Sequence, residues 1–73
     1  MDLEQTVTHL SKSLERRRKS LGLSQIELAN LAGVSARFMY DLESGKKSVS
    51  LDKFIAVAKV LGFELELIVA HNG

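Results

Sequence analysis

Leu10, Leu14 and Leu21 recur at offsets 0, 4 and 11, the spacing of one helical face, while Lys12, Arg16, Arg17 and Lys19 fill the other sides. This predicts a first helix over about residues 8–21, with Lys19 suited to the negative end of the helix dipole and Gly22 just past the helix end. In SQIELANLAG, Ser24 followed three residues later by Glu27 has the spacing of a capping box, in which each side chain satisfies a backbone N–H that the helix leaves free. Ile26, Leu28, Leu31 and Ala32 supply that helix's apolar side, and Gly33 stops it after about two turns. Ser35 then caps a third helix that runs through Ser44 and stops at Gly45. After a KKSVS loop, Ser50 or Asp52 opens a fourth helix, with Leu51, Phe54, Ile55, Ala58 and Leu61 on one side and Gly62 as its stop.

The period changes once more. FELELIV alternates Phe63, Leu65, Leu67 and Val69 against Glu64, Glu66 and Ile68, the pattern of a strand with one buried face. No other segment alternates, so such a strand lacks a ladder partner within its own chain. A second copy, pairing the same segment across a two-fold axis, is the simplest remedy, and a homodimer is expected. The alternative is a tail that folds back over the fourth helix or is disordered when isolated. The expected organisation is residues 1–62 as one helical domain and 63–73 as a dimerisation strand and tail.

Two short capped helices joined only by Gly33 and Val34 must cross steeply, the helix-turn-helix arrangement. In the third helix Met39 and Leu42 face inward with Val34, and Phe38 sits at the core margin. That leaves Ala36, Arg37, Tyr40, Asp41 and Ser44 outside, the last four at offsets 0, 3, 4 and 7. Such a stripe suits the major groove of DNA. Arginine can fork onto guanine O6 and N7, a short residue lets the backbone approach, and an amphipathic ring can pack on a thymine methyl or reach a phosphate. Ser24 and Gln25 before the stripe, and Lys46 and Lys47 after it, are donors suited to phosphate.

Charge strengthens this expectation. The net charge is only +1, but residues 12–47 carry eight basic and four acidic side chains between two acidic ends, a distribution suited to a polyanion. Seventy-three residues make one small domain, which at this size buries roughly 60% of its extended surface and gains from a partner subunit. The chain has no cysteine, which excludes disulfides and thiolate metal sites. No apolar run approaches the ~20 residues of a membrane span, and no secretory signal is visible, so a cytoplasmic protein is expected.

The run LGLSQIELANLAGVSARFMYDLESGKKSVSLDKFIAVAKVLG resembles the helix-turn-helix core of the Cro/C1-type (XRE) family of DNA-binding repressors. The similarity covers roughly residues 14–62, and its most specific parts are LSQIELA, AGVS and LESGKKSVSL. It implies an all-α, lambda-repressor-like domain of four to five helices in a bacterial, nucleoid-associated protein. The short alternating C-terminus further resembles HipB-like antitoxins, in which such a strand pairs across the dimer and the partner is a HipA-type kinase toxin. By position, the resemblance implies that Gln25 holds a phosphate, that Ser35, Ala36, Arg37 and Tyr40 lie at base edges with Asp41 near them, and that Ser44, Lys46 and Lys47 follow the backbone. It also implies that Arg18 turns inward to pair with Glu43. Two positions depart from the family pattern: Tyr40 replaces a small polar residue, and Asp41 brings an acid near phosphates unless it accepts from cytosine N4 or holds Arg37 one turn away.

Other chemistry has little footing. His9 and His71 lie at opposite ends with no second ligand nearby, and no nucleophile, base and orienting group can be nominated. No enzyme activity, cofactor, metal or small-molecule ligand is therefore expected. The alternatives are a stand-alone regulator, such as a restriction–modification controller or phage-type repressor, or a protein-interaction module that binds no DNA.

Overall fold

The computed structural model describes residues 1–70; His71 and the two residues after it lie outside the described part. Four helices make up the ordered body: α1 (Leu3–Ser20), α2 (Gln25–Ala32), α3 (Ala36–Glu43) and α4 (Leu51–Val60). The all-α expectation holds. α2 packs against α3 and α4, and α3 also packs against α1, around a core of Leu14, Leu28, Ala29, Met39, Leu42, Val57 and Leu61.

α1 begins five residues earlier than the periodicity predicts, at Leu3 rather than Thr8, because Asp2 caps it by accepting the Gln5 N–H at 3.0 Å. Its buried face also differs. Ser11, Leu14 and Arg18 are buried, while Leu10 and Leu21 are exposed. Two of the three inward positions are polar, and this rotates the true face away from the leucines. The burial is satisfied: Ser11 Oγ donates to the Leu42 carbonyl at 2.9 Å, tying α1 to the end of α3.

Similar shifts occur in α2 and α4. Leu28 and Ala29 are buried, whereas Ile26 and Leu31 stand more than 60% exposed. In α4 the inward residues are Val57, Ala58 and the following Leu61, with Phe54 half-buried and Leu51 exposed. Ser50 is the N-cap residue of α4, and its hydroxyl bonds to the Asp52 carboxylate rather than to the helix backbone.

The expected strand is not formed within this chain. Residues 63–70 carry no regular secondary structure, and no other extended segment among the described residues offers them a ladder. The tail leaves α4 through the Phe63 N–H to the Ala58 carbonyl at 2.9 Å, and Arg17 Nε caps the same helix end through the Leu61 carbonyl at 2.8 Å. Beyond that point Leu65 is half exposed, and Leu67, Ile68 and Val69 are almost fully exposed.

The closure of α3 fixes the approach to the loop. Gly45 has φ +87°, its N–H bonds to the Leu42 carbonyl at 3.2 Å, and the Lys46 N–H bonds to the Asp41 carbonyl at 3.0 Å, a Schellman closure. A Cβ at Gly45 would meet only Ser11 Oγ, at 3.9 Å, so the obstacle to alanine is backbone conformation and not crowding. Gly45→Ala is accordingly expected to cost about 1–2 kcal/mol, read as a lower urea midpoint at unchanged m-value.

Candidate nucleic-acid interface

The site is built at two helix starts and one helix end. At α2, Ser24 Oγ accepts the Glu27 N–H at 3.0 Å and Glu27 accepts the Ser24 N–H at 2.8 Å, so the expected capping box is present. The hydrogen bond from the Ser24 backbone, then the one from its side chain, hold the Glu27 carboxyl below its usual pKa. Gly33, at φ +71°, ends α2, and the Val34 N–H returns to the Ala29 carbonyl at 3.0 Å. Ser35 then caps α3 by accepting the Phe38 N–H at 2.9 Å. Every residue of this link is fixed by a cap or a closing hydrogen bond, and α2 and α3 therefore hold one relative orientation.

Met39 and Leu42 of α3 are buried and Phe38 is half-buried, as the pattern predicts. Ala36, Arg37, Tyr40 and Ser44 are exposed along the opposite side with Asp41 half-buried among them, and Ser24, Ser35, Lys46 and Lys47 are also exposed around this stripe. Ser44 Oγ is turned back onto the Tyr40 carbonyl at 2.8 Å. Asp41 accepts from Arg37 Nε at 3.1 Å, one helical turn away, and Lys46 Nζ lies 3.7 Å from its other oxygen. Lys47 Nζ donates to Glu4 of α1 at 2.9 Å.

Arg18 and Glu43 form the node behind this surface. Arg18 donates through Nε to Glu43 Oε2 at 2.6 Å and through a second nitrogen to Oε1 at 2.9 Å, a fork-to-carboxylate pair with the two side chains 9% and 3% exposed. A third nitrogen reaches the Leu23 carbonyl at 2.8 Å, in the α1–α2 connection. Gln25 Nε2 donates to Glu43 Oε1 at 2.9 Å, so one carboxylate joins α1, the start of α2 and the end of α3. Burial pushes Glu43 upward, but the hydrogen bonds from Arg18 and Gln25, with the charges of Arg18 and Lys19, outweigh it and hold the carboxyl below its usual value. The bond to Glu43 correspondingly raises Arg18, against the effect of burial.

Gln25, Tyr40 and Ser44 share a shallow depression with Glu15 and Glu43. Glu15 did not figure among the sequence-derived candidates. It lies within 4 Å of both Lys12 and Lys19, and its place one turn from each is the feature that could have identified it. Among the described residues no group of His, Cys, Asp and Glu is arranged to hold a metal, and no helix is long and apolar enough to cross a membrane.

A family model described as helix-turn-helix matches residues 14–68. The chain is also 41% identical over 51 residues to a protein of Sinorhizobium fredii (strain NBRC 101917 / NGR234) named an uncharacterized HTH-type transcriptional regulator, y4mF, a match covering 70% of this chain and 67% of the relative. With the capped helix pair and the exposed α3 stripe, these likenesses place the chain in the helix-turn-helix family of Cro/C1 type, among DNA-binding regulators and not enzymes.

Proposed function

We propose that the protein is a sequence-specific repressor that acts as a homodimer, with α3 of each copy in a major groove. The observation that carries this reading is the exposed stripe Ala36, Arg37, Tyr40, Asp41 and Ser44 on a helix fixed by caps and by the Arg18–Glu43 node. Arg37 is assigned to a guanine edge, Ser35, Ala36 and Tyr40 to base edges and the thymine methyl, and Asp41 to their flank. Ser24, Gln25, Ser44, Lys46 and Lys47 are assigned to the phosphate backbone. Gln25 keeps a second amide hydrogen beyond the one given to Glu43, and that hydrogen is the one assigned to phosphate.

In the dimer, Phe63, Leu65, Leu67 and Val69 pair with the same residues of a second copy. The exposure of this apolar tail in the single chain supports the assignment. The operator would be palindromic, with half-sites about one turn (~10 bp) or a multiple of it apart. The likeness of the tail to HipB-type antitoxins supports a further role, neutralising a HipA-type kinase toxin and repressing the shared operon. Co-purification with a kinase-like protein encoded next door tests that role, and a neighbouring kinase that never co-purifies would refute it.

Gel shifts test the DNA reading. Binding should weaken steeply with salt as phosphate contacts release counterions. Arg37→Ala is expected to cost about 1–3 kcal/mol on the selected site and to relax specificity, whereas Lys46→Ala should weaken all duplexes alike. Loss of specific and random binding to the same extent in both variants would remove these roles. A stripe that serves a protein partner instead would leave wild type without salt-dependent duplex binding.

A further inference from the structure

The cations flanking α3 are not free. Asp41 lies between two of them, with Arg37 Nε 3.1 and 3.3 Å from its oxygens and Lys46 Nζ 3.7 Å away. The side chain of Asp41 is 20% exposed, whereas Arg37 is 84% exposed and Lys46 56%. The carboxylate is set into the surface and the cations reach over it. Two independent features enforce this. The i,i+4 spacing along α3 brings Arg37 onto Asp41, and the Gly45 closure brings Lys46 back over the same residue through its N–H to the Asp41 carbonyl at 3.0 Å.

We propose that Asp41 is a specificity-setting residue: it holds Arg37 and Lys46 in the free protein and competes with DNA phosphates for them. The proposal rests on the assignment of α3 to the major groove. On a random duplex, Arg37 gains a phosphate only by giving up an equivalent carboxylate, and Asp41 is left facing the negative backbone. On the right site Arg37 forks onto guanine, and Asp41 accepts from a cytosine amino group within reach of the same turn, so neither charge is left unpaired. Discrimination then comes from a penalty against wrong sequences as well as from attraction to the right one. Glu4 differs. It holds Lys47 at 2.9 Å from α1, outside the stripe, and releasing that lysine should strengthen binding to every sequence alike.

The test uses full-length wild-type, Asp41→Asn, Asp41→Glu and Glu4→Gln proteins, each with helical content checked by circular dichroism. The probes are a random-sequence duplex pool and a duplex selected from that pool by the wild type. Asp41→Asn is expected to bind the random pool roughly five- to tenfold more tightly near 0.1 M salt, with a salt slope steeper by about 0.9, and to lose selectivity for the selected duplex. Asp41→Glu, which keeps the charge at i+4, should hold random binding low, and Glu4→Gln should leave the selectivity ratio unchanged. Asp41→Asn that moves both probes by the same factor, or neither, overturns the inference while leaving the DNA reading intact. Wild-type protein that retains no duplex from the pool removes the DNA reading, and this inference with it.

Discussion

Glu43→Ala is expected to remove a large part of the domain's folding stability. The substitution strands the buried Arg18 guanidinium without its two carboxylate bonds and frees Gln25 from its 2.9 Å tether. Removing one member of a buried ion pair costs about 3–5 kcal/mol, because the remaining charge stays desolvated and uncompensated. A chain this size is stable by about 4–11 kcal/mol in total, so the loss consumes a large part of it. Urea titration followed by circular dichroism measures the effect, and a fall below ~1 kcal/mol would show that water reaches Arg18 in the folded state. Replacing both residues with apolar ones of similar volume, Arg18→Met with Glu43→Leu, should recover most of the stability.

The same pair sets an acid limit. Glu43 titrates below its unfolded value of about 4.5, so its contribution is complete above that pH and is lost as the pH falls through the lower, folded-state value. Melting temperature should therefore decline below about pH 4.5, and decline less in the apolar double variant.

Leu67→Asp is expected to reduce binding to a two-half-site operator by about 10²–10⁴-fold while leaving the folded monomer intact. Leu67 is fully exposed in the middle of the tail, so it adds nothing to the stability of the single chain. On the proposed dimer it lies in the apolar face shared by the two strands, opposite the position of Leu65 in the second copy, and a carboxylate there would be buried among leucines. The second half-site contact would no longer be intramolecular, and the avidity would disappear. Sedimentation should show a dimer for wild type and a monomer for the variant, with equal thermal melts at low concentration. A wild type that stays monomeric at tens of micromolar, or a variant that binds the paired site as wild type does, would refute the strand-mediated dimer.

The parts of this structure legible in the sequence are those governed by local backbone chemistry. Ser24 with Glu27, Ser35, Gly33 and Gly45 mark the ends of α2 and α3 to within a residue, because caps and left-handed closures depend on near neighbours only. The inward positions of Met39 and Leu42 and the outward stripe of α3 follow from those ends. Of the buried face of α1, Leu14 follows from periodicity and the inward turn of Arg18 only from the family resemblance, while Ser11 was not legible. Periodicity ranks leucines, and here Ser11 and Arg18 take two inward positions because acceptors distant in sequence, the Leu42 carbonyl and Glu43, are waiting for them. The first turns of α1 were also legible, although the periodicity counted from Leu10 left them out: Asp2 and Gln5 have capping spacing, and Leu3 and Val7 precede Leu10 and Leu14 at offsets 0, 4, 7 and 11. At the interface, the engagement of Lys47 by Glu4 joins residues 43 positions apart and has no local trace. The tail alternates as a strand should, but no segment among the described residues offers it a ladder, and residues 63–70 carry no regular secondary structure.

The tie between α2 and α3 bears on the choice of operator. Gly33, Val34 and Ser35 are all committed to hydrogen bonds or caps, so the two helices have no hinge between them. A reader without a hinge cannot adjust to an ill-fitting groove, and the deformation falls on the nucleic acid. In a two-fold assembly, base steps between the half-sites that twist or kink readily would then be favoured although no side chain touches them.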